Sequence, residues 1–191
     1  SRESLPERTW LPKKHLLSIP AEGYFENRKT DRGAFRIMKE NGCYESAVRV
    51  FPATAEFSEQ EEAPEVGYRF LIPERGTYRV ELIVSPNNSS VAGKAMRVRA
   101  FSSGEEKEVL LLPDTFQAGD HRDGDWCQGV LRQRRNVCTE FFWEAGVQQL
   151  FLKAVEPGFA LQRLYIYPSE EGRRESYLGP ELSAHTPESN S

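Results

Sequence analysis

With 191 residues, 38% of them hydrophobic and 28% charged, the chain can bury a core of its own as one domain without disulfide or metal support. A formal charge of −4 argues against nucleic acid, which asks for a basic face, and no run approaches the roughly 18 apolar residues of a membrane helix. Cys43, Cys127 and Cys138 form neither a disulfide framework nor a zinc pattern. Cys127 and Cys138 would pair only across neighbouring strands, and buried thiols are the plainer reading.

Residues 1–14 are polar, with Pro6 and Pro12, and read as a lead-in or linker. Ser1 opens this segment without Met and without a charged-then-apolar pattern, so the expectation is a mature or trimmed product. From there to residue 168 the periodicity is that of strands. Short ones are expected over 16–19, 34–38 and 47–51, and the clearest follow. Over 66–72, Tyr68, Phe70 and Ile72 share one face. Over 77–84, Tyr78, Val80, Leu82 and Val84 alternate with Thr77, Arg79 and Glu81. Pro73-Glu74-Arg75-Gly76 between them reads as the turn of a β-hairpin.

Further strands are expected over 95–101, 107–112, 130–132, 137–143, 147–154 and 159–167. Glu144-Ala145-Gly146 makes a second tight connection, after which Leu150, Leu152 and Ala154 alternate against Gln149, Phe151 and Lys153. The run Phe141-Phe142-Trp143 is aromatic at successive positions, which predicts burial on both sides and contact with another domain. In the last strand Leu161 and Leu164 are three apart while Leu164 and Ile166 are two apart, and a bulge at Gln162-Arg163 reconciles them. Residues 169–191 form a polar tail, expected to be loose beyond Pro180. About ten short strands, no amphipathic helix and no internal repeat indicate an all-β, antiparallel β-sandwich of jelly-roll type over 15–168.

Several segments carry a resemblance. They are Ser18-Ile19-Pro20-Ala21-Glu22, Gly42 to Pro52 (GCYESAVRVFP), and Tyr68-Arg69-Phe70 ahead of Gly76-Thr77-Tyr78, with Ser85-Pro86 following. Next come Trp126 with Gly129-Val130-Leu131, Gly146, and Pro157-Gly158-Phe159 with Leu161. The series closes on Ser176-Tyr177-Leu178-Gly179-Pro180. In this order the chain resembles the C-terminal domain of glycoside hydrolase family 115, whose members are xylan α-1,2-glucuronidases, over roughly 16–180. It departs at Phe35, where a tryptophan is more usual, and at Arg132-Gln133-Arg134-Arg135, where a less basic turn is expected. The resemblance implies a galactose-binding or carbohydrate-binding-module-like sandwich. It also implies that the catalytic carboxylates belong to an upstream barrel absent from this chain, so that no catalytic residue transfers onto it. The domain would be an accessory one, packed on the catalytic part and associated with a homodimer. An extracellular or periplasmic location follows from the resemblance alone.

Three constellations remain as candidate sites. Asp120, Asp123 and Asp125 flank Gly124 and would suit a hard cation such as a structural calcium. The spacing is not that of an EF-hand, however, and Arg122 within the cluster favours a solvated loop. Trp10, Trp126 and Trp143 offer flat rings on which a pyranose can stack. Trp126 lies at a loop-to-strand junction, with core plugging as its plainer role, while Trp10 could dock on a missing partner. Arg132, Arg134 and Arg135 could fork onto a glucuronate carboxylate, against a solvated turn as the simpler reading. His15, His121 and His185 are too dispersed for a triad, and no acidic pair stands out for glycoside hydrolysis. Asn88-Ser89-Ser90 fits a glycosylation sequon by chance as easily as by design. The expected function is a non-catalytic accessory domain for packing and dimerisation, with a glucuronoxylan-binding module as the alternative and a self-standing enzyme a distant third.

Overall fold

Apolar residues recurring at every second position place one face of each longer strand, such as β6, β7 and β11, against the opposite sheet. The computed structural model describes residues 5–39, 46–51, 63–86, 96–111, 135–155, 159–171 and 182–187. Within them lie thirteen strands and no helix: β1 (Thr9–Leu11), β2 (Leu17–Pro20), β3 (Glu26–Arg28), β4 (Ala34–Lys39), β5 (Ser46–Phe51), β6 (Glu65–Ile72), β7 (Gly76–Pro86), β8 (Met96–Ser102), β9 (Glu105–Leu111), β10 (Arg135–Trp143), β11 (Gly146–Ala154), β12 (Phe159–Pro168) and β13 (Ala184–His185). A seven-stranded sheet runs β13-β1-β6-β11-β8-β9, with β3 also paired to β6. A six-stranded sheet runs β10-β7-β12-β5-β4, with β2 also paired to β12. The two sheets enclose one core, so the expected β-sandwich stands.

Val66, Tyr68, Phe70 and Ile72 on β6 are buried, as are Tyr78, Val80, Leu82 and Val84 on β7. Each such side chain contributes on the order of 1.5–3 kcal/mol when fully withdrawn from water. The connection between these strands corrects the sequence reading. β6 and β7 do not form a hairpin, because they belong to different sheets. Within one sheet their two apolar sets would lie side by side. Across an arch they face each other and close the core. The Tyr78 hydroxyl donates to the Glu74 carbonyl at 2.6 Å and ties the arch together. Glu144-Ala145 makes a second arch, carrying the chain from β10 in one sheet to β11 in the other. By contrast, β8 and β9 are a true hairpin. Ser103 and Gly104 at its tip adopt φ of 51° and 77°, the left-handed pair that a two-residue turn requires.

The bulge expected in the last strand is present. The β12–β7 register shifts between Leu161 and Arg163, which keeps Leu161, Leu164 and Ile166 all in the core.

Both ends of the chain differ from expectation. Thr9–Leu11, read as part of a lead-in, is a strand parallel to β6. Trp10 is buried there, its indole N–H donating to the Gly23 carbonyl at 2.8 Å. Gly23 is required by that ring, since a Cβ would lie 2.5 Å from it. The tail also returns to the sheet, because Ala184–His185 pairs antiparallel with β1. Thr186 Oγ1 accepts from the Thr9 amide at 2.8 Å and donates to the Pro6 carbonyl at 2.7 Å. Strands of two or three residues are too short to show a period. The polar β3 was hidden from the sequence for the same reason. The strand expected over 130–132 and the 176–180 signature lie outside the described residues.

Candidate functional site

Most sequence-predicted site residues fall outside the described residues: Asp120, Asp123, Asp125, Trp126, Arg132 and Arg134, as do Cys43, Cys127, His121 and Asn88. Arg135 opens β10, its Cα opposite Val84. Among the described residues no group of His, Cys, Asp and Glu could hold a metal ion. Cys138 is exposed on β10.

Two of the three tryptophans are core residues and not sugar platforms. Trp10 docks in its own sandwich, not on a partner. Trp143 is fully buried, stacked on Phe141 at 5.5 Å and edge-on to Phe70 at 4.9 Å. Its indole N–H donates to Ser102 Oγ at 2.7 Å, and that hydroxyl donates onward to the Gln149 carbonyl at 2.5 Å. This relay satisfies a polar atom that would otherwise be stranded in the core. Phe141 is likewise buried, but Phe142 between them is 46% exposed, with the Arg75 guanidinium 5.5 Å from its ring. The expectation that this run is buried on both sides is therefore corrected. Ordinary strand alternation survives there, with an aromatic residue on the solvent side.

The outer faces of the two sheets differ. On the six-stranded sheet the outward residues Ile83, Tyr165 and Tyr167 form a second buried cluster with Leu16 packed against it. Glu81, only 5% exposed, lies among them and accepts from the Tyr167 hydroxyl at 3.1 Å. Burial, and then the neighbouring Glu81 charge, push the Tyr167 phenol up to about 12. Arg79 meets Glu140 at 3.4 Å, and its hydrogen bonds to Tyr167 and Glu140 hold its pKa above the ordinary value. The Arg163 guanidinium donates to the Tyr165 hydroxyl at 3.3 Å. Over β7 and β12 this face is closed by the protein's own packing, while Phe142 on β10 stays exposed.

The outer face of the seven-stranded sheet carries partly exposed aromatic rings, and its register builds an ordered surface. Glu26, Gly67, Phe151, Phe101 and Glu106 stand in one cross-strand row over β3, β6, β11, β8 and β9. Gly67 makes the row possible, because a Cβ there would sit 2.6 Å from the Phe151 ring and 3.0 Å from Phe25. Phe25 meets Phe151 edge-on at 5.8 Å. The Arg69 guanidinium lies 4.1 Å from the Phe25 ring centre, and Lys153 Nζ lies 5.2 Å from that of Phe101. Around these half-buried rings run ion pairs: Arg28–Glu65 at 3.6 Å, Arg97–Glu108 at 3.3 Å and Arg99–Glu106 at 3.7 Å. Among the described residues no carboxylate pairs with Arg69 or Lys153; Arg69 instead donates to the Glu7 carbonyl at 2.9 Å. The outward placing of Phe151 and Lys153 was legible in the alternation of β11. Their neighbours on the sheet were not, since register and strand order are properties of the folded chain.

A sequence model described as glycosyl hydrolase family 115 C-terminal domain matches residues 9–182. Among curated proteins none matches the chain. Of solved structures, a family 35 carbohydrate binding module from Clostridium thermocellum is similar at 9% identity and a TM-score of 0.53, over 81% of this chain and 98% of that one. Arthrobacter globiformis T6 isomalto-dextranase complexed with panose is similar at 12% identity and a TM-score of 0.53, over 81% of this chain and 24% of the enzyme. The Podospora anserina GH26-CBM35 β-(1,4)-mannanase is similar at 9% identity and a TM-score of 0.52, over 85% of this chain and 29% of that one. The chain thus spans about a quarter of the length of these two enzymes. At such identities the likeness is one of fold.

Proposed function

Because the chain belongs to the glycosyl hydrolase family 115 C-terminal domain family, we propose that it is the non-catalytic accessory sandwich of a xylan α-1,2-glucuronidase, serving domain packing and dimerisation. The observation that carries this reading is the extent of the match, which runs from Thr9 to Leu182 and so takes in β1 to β12, stopping just short of the returning strand β13. Catalytic carboxylates are then the business of an upstream domain, and an extracellular or periplasmic location follows from a xylan substrate. The isolated chain is expected to show no hydrolysis of glucuronoxylan oligosaccharides. Turnover by the purified chain would overturn the reading. A monomer at all concentrations in sedimentation, both alone and joined to its catalytic part, would remove the dimerisation role.

A second reading is a module that holds glucuronoxylan near an active site. Its support is the fold shared with a family 35 carbohydrate binding module and the chemistry of Trp126 with Arg132, Arg134 and Arg135, an aromatic ring for a pyranose and guanidinium groups for a uronate. Isothermal titration with glucuronoxylan fragments tests it. Heat that is lost in Trp126→Ala supports this role, and no heat from the unmodified chain removes it.

A further inference from the structure

We infer that the outer face of the seven-stranded sheet, centred on Gly67, Phe151 and Phe25, is the surface on which the catalytic part of the polypeptide docks, its carboxylates meeting Arg69 and Lys153. This rests on the accessory-domain reading above and assigns that role a surface. The anatomy is that of a protein interface, with half-buried aromatic rings at the centre and ion pairs at the rim. Gly67 lets the Phe151 ring approach the sheet closely, and Phe25 packs edge-on against that ring. One face of Phe25 and one face of Phe101 are overlaid by Arg69 and Lys153, which takes those faces from pyranose stacking. Charges of both signs interleave along the rim, which does not suit a polyanionic glycan but does suit a mixed protein surface.

The two cations, which have no carboxylate partner among the described residues, rest their charged heads over aromatic rings, Arg69 on Phe25 and Lys153 on Phe101, so the heads are placed before any partner arrives. A complementary carboxylate meets them at little cost in side-chain ordering. Position points the same way. Arg69 grips the Glu7 carbonyl and Arg8 donates to the Tyr24 carbonyl at 3.1 Å. The polypeptide ahead of Thr9 therefore runs along the edge of this face, and a domain joined there has a high effective concentration against it. On the opposite sheet Ile83, Tyr165 and Tyr167 are already buried, and the exposed Phe142 on its outermost strand β10 stands apart from them with Arg75 over its ring.

The test is residue-resolved acetylation of lysine amines, read by mass spectrometry on this chain alone and on the polypeptide that joins it to its catalytic region. Docking predicts that the Lys153 rate falls at least about tenfold in the longer polypeptide, as for a side chain taken into an interface. An unchanged Lys153 rate in a polypeptide that does carry a glycosidase region overturns the docking face and leaves the accessory role standing. The lack of any glycosidase region upstream overturns both. Protection of Lys153 by glucuronoxylan fragments, without protection by the catalytic region, overturns the proposal in favour of a sugar-binding face.

Discussion

Trp143 shows how much one side chain can hold together. Its ring touches Phe70, Phe141 and Tyr78, and its N–H links β10 to Ser102 on the opposite sheet. Trp143→Ala is expected to cost about 3–5 kcal/mol, read as a lower urea midpoint with an unchanged slope. Trp143→Phe should cost less but leave Ser102 without its donor. The buried Tyr167–Glu81 pair gives a pH signature. A phenol whose folded pKa lies above its unfolded value of 10.0 favours the folded state below that value, and this contribution is lost as pH rises from about 10 towards 12. Tyr68 and Tyr78 are raised by burial in the same direction. Urea midpoints should therefore fall from about pH 10 upward, more shallowly in Tyr167→Phe. An equally steep fall in that variant would sink the assignment. At this scale the sequence was partly legible. It marked Trp10 and Trp143 as large and placed, but not which way they faced, because direction depends on which sheet each strand joins.

At the scale of elements, alternation found the strands and not their partners. The 66–72 and 77–84 segments were evident as strands, and Pro73 to Gly76 as a turn. Nothing local distinguishes a hairpin from an arch, since both need the same turn chemistry and the same apolar face. The bulge at Gln162 was visible because a broken period is itself a local signal. Short elements were missed where too few residues exist to repeat: β1, β3 and β13 span three, three and two residues. The clasp between β1 and β13 gives a prediction. Truncation after Glu181 removes Thr186, which bonds the Thr9 amide and the Pro6 carbonyl, and lifts His185 from its 4.6 Å contact with the Trp10 ring. With hydrogen bonds worth about 0.5–1.5 kcal/mol each, the loss should be about 2–3 kcal/mol, read as a lower melting temperature with altered Trp10 fluorescence. A truncated chain that melts like the full one would show the clasp to be incidental.

Over the whole molecule, fold class and family were within reach of the sequence, since turn signals and dispersed segments in fixed order both survive without coordinates. Of the proposed sugar and calcium residues, Arg135 opens β10 and the others fall in 112–134, outside the described residues. The aromatic outer face of the seven-stranded sheet could not be foreseen, because it is assembled from five strands distant in the chain. The meeting of the two ends has a mechanical side. Arg8 donates to Thr186 and Thr186 to Thr9, so the chain arrives and departs at the same end of the β1–β13 ladder. Tension applied through both ends would load that ladder one bond at a time, as a zipper, and not in shear. The tail would peel away at low force and leave the sandwich loaded through β1, whose Trp10 is seated in the core. A pull on the polypeptide would thus be absorbed first by a reversible latch.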